Sequence, residues 1–144
     1  ELLSEVCDKA KLLTMRKDIE FLKNIPAQPI FVNGNRLHLT RLFLNLVDNA
    51  VKFTPRRGKI SISAETRGEK VIVSVSDTGA GIDKEDMPRI FTKFFSKEDE
   101  YDSEKIHGLG LNIVQHIIKI HQGDIHVQSD LRKGSTFTVT LPLG

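Results

Sequence analysis

Asn45, Asp48, Asn49 and Lys52 sit inside an apolar run that also carries Leu39, Leu42, Phe43, Leu46, Ala50 and Phe53. At about 100° per residue the four polar side chains fall within roughly 100° of one another, beside the apolar stripe of one helix. Two carboxamides four residues apart supply oxygens for Mg2+ and neutral donors for phosphate, with a lysine as counter-charge. An ordinary solvated helix face would look the same. Asp77 makes a sharper demand, because a period of two puts it on the face of Val71, Val73 and Val75, where its carboxylate points into an apolar layer. An unpaired charge there is costly or is neutralised by a shifted pKa. Either a turn satisfies it, through the backbone of Gly79 or Ala80, or a donor from a ligand does. Gly79 and Gly81 would let backbone approach such a ligand with no Cβ in the way. Gly108-Leu109-Gly110-Leu111 opens a further helix, whose first N–H groups are unpaired and attract phosphate. Alone, a Gly-x-Gly before a helix is a weak signal.

The bulk properties narrow the setting. A chain of 144 residues makes one domain with a real core. With 21 basic against 19 acidic residues, no strong field points to nucleic acid or to a membrane surface. Cys7 is single, so it forms no internal disulfide, and it has no metal-ligand spacing with any histidine. No apolar stretch approaches the roughly 20 residues of a membrane span. The sequence starts at Glu1 without a methionine and reads as an excerpt of a longer protein.

The elements that must position these residues follow from periodicity. Residues 1–17 read as a helix with Leu2, Val6, Leu12 and Leu13, and a short strand is expected around Ile19 to Leu22. Pro26 and Pro29 mark a loop, and Phe31 with Val32 a brief strand. Asn35 to Phe53 is the best helix, stopped by Pro55 and Gly58. Strands are expected over Ile60, Ile62 and Ala64, over Val71 to Val75, over Ile125 and Val127, and over Phe137, Val139 and Leu141. Each alternates, so each buries one face. One-sided strands imply a mixed, mostly antiparallel sheet of about five strands covered on one face by about three helices, a two-layer α/β (α+β) sandwich. Met87 to Phe95 forms a short helix in this reading. The polar stretch from Ser96 to Lys105 has little to bury and reads as a lid, spanning about residues 83–107 with its neighbours.

Taken in order, the three segments resemble the Bergerat ATP-binding fold, and their wording is similar to the catalytic domain of sensor histidine kinases. The resemblance runs from about Leu3 to the end of the chain. It implies that ATP and Mg2+ are bound, that Asn49 is the Mg2+ ligand, and that Asn45 and Lys52 lie on the phosphate side with catalytic roles. It further implies that Asp77 accepts from the exocyclic amine of adenine. Gly79, Gly81, Ile82, Phe94, Gly108, Leu109, Gly110, Leu111 and Thr136 would complete the nucleotide site. Residues 1–17 would lead in from an absent dimerisation domain, and 18–144 would be the catalytic domain proper. Its partners would be ATP or ADP, the phosphoacceptor histidine domain of the same parent and a response regulator, with no contact to nucleic acid or membrane by this domain. A cytoplasmic setting is implied, with membrane anchoring of the parent left open.

Two departures matter. The glycine that the family carries two residues before Gly108 is Ile106, and the basic residue after the lid's Phe-rich helix is Ser96. Lys97 is next door and could meet the terminal phosphate, or could be a solvated member of a charged loop. Hydrolases of the fold carry a glutamate four residues before the Mg2+ ligand, where this chain has Asn45. A carboxamide takes no proton at neutral pH, so the attacking water lacks its base and transfer to a supplied nucleophile is favoured. Of the five histidines, His38, His107, His116, His121 and His126, none has the sequence setting of an acceptor, and only His107 borders the lid. The expected activity is γ-phosphoryl transfer to a histidine on a separate domain. The alternatives are a non-catalytic ATP-binding module and, behind it, an ATP hydrolase.

Overall fold

The computed structural model describes residues 2–27, 30–90 and 105–143, with backbone alone at 89 and 105–110. Its elements run α1 (Leu2–Arg16), β1 (Glu20–Asn24), α2 (Arg36–Phe53), β2 (Lys59–Arg67), β3 (Lys70–Asp77), α3 (Lys105–Ile120), β4 (Asp124–Asp130) and β5 (Gly134–Pro142). The strands form one sheet in the order β1-β2-β3-β5-β4. Only β1 and β2 pair in parallel; the other three pairs are antiparallel.

Alternation explains the layering. Ile60, Ile62 and Ala64 of β2, Val71, Val73 and Val75 of β3, and Phe137, Val139 and Leu141 of β5 are all buried, and they share one core with residues of the three helices. On the other face the same strands present hydroxyls, with Ser74 Oγ 3.3 Å from Thr138 Oγ1 and Ser76 Oγ 2.8 Å from Thr136 Oγ1. The sheet is therefore helix-covered on one side, as the one-sided pattern requires.

The helix α2 is defined at both ends. Asn35 is its N-cap, accepting from the His38 N–H at 3.0 Å through Oδ1 and so satisfying one donor that the first turn leaves unpaired. Thr54 turns extended before Pro55, which cannot continue the helix. Leu39, Leu42, Phe43, Leu46, Val47 and Ala50 face the core.

Local expectations differ from the fold in three places. No strand forms at Phe31 and Val32: Phe31 is 71% exposed, Val32 packs on the core instead, and β1 already pairs along β2 from Glu20 to Asn24. The segment after Asp86 holds a single 3-10 turn, Met87–Arg89, with Pro88 in it; the remainder of the expected short helix lies outside the described residues. The helix α3 starts at Lys105, so Gly108 and Gly110 lie within its first turns and not ahead of them. With Ile106 where a glycine would interrupt, nothing in Lys105-Ile106-His107 stops the chain from helical turning.

Candidate functional site

Asp77 ends β3 with its side chain on the helix-covered face. It stands opposite Ile60 on β2 and Ser135 on β5. Its Oδ1 accepts the Gly79 N–H at 2.8 Å, which realises the turn reading of Asp-Thr-Gly. The turn does not fully satisfy the acid. Burial pushes its pKa above the ordinary carboxylate value, and backbone hydrogen bonds from Gly79 and Ser135 only partly oppose that rise. The carboxylate is held where a further donor would stabilise it.

The loop after Asp77 is clamped between α2 and the turn joining β4 to β5. Ala80 N–H donates to the Phe53 carbonyl at 3.2 Å, and the Ala80 carbonyl accepts from Arg132 N–H at 2.7 Å. A Cβ on Gly79 would lie 2.2 Å from the Phe53 oxygen, and one on Gly81, whose φ is +77°, would lie 2.2 Å from the Asp130 oxygen. Only glycine permits approaches that close. Ile82, half-buried against the core, donates its N–H to Ser129 Oγ at 2.7 Å. The Ser129 hydroxyl spends its one proton on the Gly134 carbonyl at 3.1 Å, so Ser135 Oγ, 2.9 Å away, must donate to it.

Thr136 is not part of this group. Its register partner is Ser76, its hydroxyl bonds Ser76 Oγ on the hydroxyl face, and it points away from Asp77. The buried Ser135 is the residue that faces Asp77, as alternation back from Phe137 requires. Ser129 is the second residue not expected from the motifs; the parity of Ile125 and Val127 marks it as inward-facing.

On α2 the polar edge divides. Asn49 is buried, whereas Asp48 and Lys52 are exposed. Asn45 is half-buried beside an open groove of about 380 Å3 between α1 and α2, lined also by Lys9, Leu13, Arg16 and Asp48. Its Nδ2 is buried and finds no acceptor among the described residues. Asn49 stands one turn before Phe53, the residue that holds Ala80, so about 6 Å of helix rise separates the two halves of the site. Leu111 is buried in the core, while the side chains at Gly108, Leu109 and Gly110 and the residues Phe94 and Lys97 lie outside the described set. His121 is committed to structure: its Nδ1 is 2.8 Å from the Ile117 carbonyl and its Nε2 accepts the Asn35 N–H at 3.1 Å.

The model of the family described as histidine kinase-, DNA gyrase B- and HSP90-like ATPases matches residues 34–144. The chain belongs to this family. It is 38% identical over 143 residues to the sensor-like histidine kinase SenX3 of Mycobacterium tuberculosis (strain ATCC 25618 / H37Rv), covering 98% of this chain and 34% of that protein. Among solved structures it matches the mycobacterial sensor histidine kinase MprB with a TM-score of 0.82 and 27% identity over 98% of this chain and 95% of that one. It also matches full-length ShkA in complex with AMPPNP, with a TM-score of 0.84 and 29% identity over 99% of this chain and 29% of that one. The chain thus spans about a third of the length of the curated relatives it matches.

This ATP-binding catalytic domain of histidine kinase type carries groups that fit a nucleotide. A half-buried acid has its pKa raised by burial, two glycines let the loop beside it lie against neighbouring main chain, and an amide donor on the neighbouring helix finds no partner among the described residues. No group of three or more acidic, histidine or cysteine side chains gathers among the described residues. No helix among the described residues is long and apolar enough to cross a membrane.

Proposed function

We propose that this domain binds Mg2+-ATP and transfers its γ-phosphoryl group to a histidine on a separate dimerisation domain of the same parent, from which a response regulator is phosphorylated. The observation that carries the nucleotide half is Asp77, a half-buried acid on the helix-covered face of β3 whose pKa burial raises against the opposing pull of two backbone hydrogen bonds. An adenine exocyclic amine supplies a further donor, and guanine, with a carbonyl at that position, does not. Gly79 lets the loop backbone lie directly against the Phe53 carbonyl, which fixes where the Asp77 acid is presented. Asn49 is the residue that would hold Mg2+, which neutralises phosphate charge when bound.

Phosphoryl transfer to nitrogen asks little of a protein base. The imidazole attacks as its free base, the bond from the terminal phosphorus to the bridging oxygen breaks with its electrons staying on ADP, and a phosphorus–nitrogen bond forms. Positioning and charge stabilisation dominate such a step. Asn45 fits this chemistry because its carboxamide cannot activate water, and its Nδ2, without an acceptor among the described residues, is a neutral donor for a phosphate oxygen. Lys52 adds positive charge on the same edge, and Lys97 is the basic residue the sequence offers for the terminal phosphate. A cytoplasmic location follows from the need for ATP.

Incubating the domain with γ-labelled ATP and the purified acceptor domain is the decisive test. Acid-labile label on the acceptor is expected, and Asn49→Ala should abolish the Mg2+-dependent part of nucleotide binding. Tight ATP binding without transfer would instead identify a silent module. Steady phosphate release with no acceptor present would identify a hydrolase.

A further inference from the structure

The lysine that closes α1 reaches across to the helix carrying Asn49. Lys17 Nζ donates to the Val51 carbonyl at 2.8 Å and to the Lys52 carbonyl at 3.1 Å. These belong to the last four carbonyls of α2, which have no partner within the helix and carry its negative dipole end. Two of the three ammonium protons are thereby spent on one helix terminus.

The corner that presents Lys17 is itself fixed. Ile19 N–H bonds the Thr14 carbonyl at 2.9 Å and Asp18 N–H the Met15 carbonyl at 3.3 Å, the double bond of a Schellman ending, with Asp18 in the left-handed conformation at φ +60°. Ile19 is buried, which seats the corner against the core. From here two routes lead to the loop after Asp77. The first runs through α2: the peptide after Lys52 offers the Phe53 carbonyl that Ala80 N–H takes and on which Gly79 rests. The second runs through the α2-β2 connection. The Asp18 carbonyl accepts from Arg57 N–H at 2.9 Å, and Lys59 exchanges hydrogen bonds with Thr78, its N–H to Thr78 Oγ1 at 2.9 Å and its carbonyl from Thr78 N–H at 3.1 Å.

We infer that Lys17 is a positioning residue for the adenine side of the site, holding the last turn of α2 so that the 77–81 loop keeps its shape and passing any displacement of α1 into that loop. The role in nucleotide selection rests on the function proposed above; the mechanical linkage does not.

Two readouts on the whole chain separate these. In the nucleotide-free domain, Lys17→Met should speed amide exchange at Ala80 by about tenfold while leaving Gly123, bonded to the Ile118 carbonyl at the end of α3, unchanged. The same variant should lose about three- to tenfold of the preference for ATP over GTP, since one hydrogen-bonded support is removed and not the acid itself. Lys17→Arg, which restores two donors, should return both values to within about twofold of the parent. If Lys17→Met folds poorly, Lys17→Gln, with one neutral donor group, gives the same comparison at smaller amplitude. The inference is overturned if Ala80 and Gly123 accelerate together, or if Ala80 exchange is unchanged. Absence of any ATP preference in the parent chain would remove the nucleotide reading, yet Ala80 exchange would still decide the role of Lys17.

Discussion

At the end of β3 that carries Asp77, backbone meets backbone: Gly79 lies against the Phe53 carbonyl, Gly81 against that of Asp130, and the hydroxyls of Ser129 and Ser135 close the remaining gaps. At the other end, six residues or about 20 Å along the same strand, apolar side chains surround a cavity of about 450 Å3, among them Leu2, Leu3, Ile30, Phe43, Val71 and Leu141. One strand thus runs from a loosely packed apolar end to a polar end with no slack in its main chain. The contrast teaches where precision resides in this fold. Recognition of a flat heterocycle needs an acid and a backbone surface fixed to within fractions of an ångström, whereas the distal end needs only to keep its apolar side chains from water.

The strongest way to break the contrast is to put a methyl group where backbone touches backbone. Gly79→Ala places a Cβ 2.2 Å from the Phe53 oxygen, and neither main chain can yield without moving α2 or β3. A loss of about 2–3 kcal/mol is expected, together with loss of measurable ATP binding. Gly68→Ala, where a Cβ meets nothing within 4 Å, carries only the strain of its φ of +64°, about 1 kcal/mol. Urea denaturation of the two variants checks the pair, and equal midpoints would contradict a rigid polar end.

Asp77→Asn sets function against stability. Asn keeps the oxygen that Gly79 N–H needs but cannot accept from the adenine amine as a charged group does, so ATP affinity should fall by about ten- to a hundredfold. Stability should move the other way at neutral pH. Burial raises the folded-state pKa of Asp77, so the folded chain binds more protons than the unfolded one in the window just above the ordinary carboxylate value. Stability from this group therefore falls as pH rises from that ordinary value through the raised one. Asp77→Asn removes the slope and should be the more stable protein at pH 7, with the advantage vanishing on acidification. Denaturation curves at several pH values read this directly, and a less stable variant at pH 7 would refute the burial argument.

Much of the architecture was legible because it depends on period. Alternation over β2, β3, β4 and β5 identified the buried faces, and three- and four-residue steps identified α2 with its Asn35 start. Asp77 was legible for the same reason, as an acid on an apolar parity. What period could not reveal is contact between distant backbones: nothing in a pattern of side chains announces that the Phe53 carbonyl holds Ala80, or that Lys17 caps α2. Thr136 was assigned from a motif, whereas parity places it on the hydroxyl face beside Ser76. Phe137, Val139 and Leu141 already dictate that Ser135 shares their face and Thr136 does not. Ser135→Ala should accordingly weaken ATP binding by about three- to tenfold, the worth of one buried hydrogen bond, and Thr136→Ala should leave it unchanged in the same titration. The reverse order would return the site to the opposite face of the sheet.

The smallest effect is expected at the loose end, and its sign is the informative part. Ala64 of β2 is buried and lines the distal cavity, and valine there adds two methyl groups to a face that has room for them. The change also replaces a residue depleted in strands by one that suits them. A gain of about 0.5–1 kcal/mol is expected, with ATP affinity unaltered because the addition is remote from Asp77 and touches none of the clamping backbone. At the polar end, by contrast, one added methyl costs stability and binding together. Should Ala64→Val destabilise the protein, the distal cavity is already full in solution, and the two ends of the sheet are packed alike.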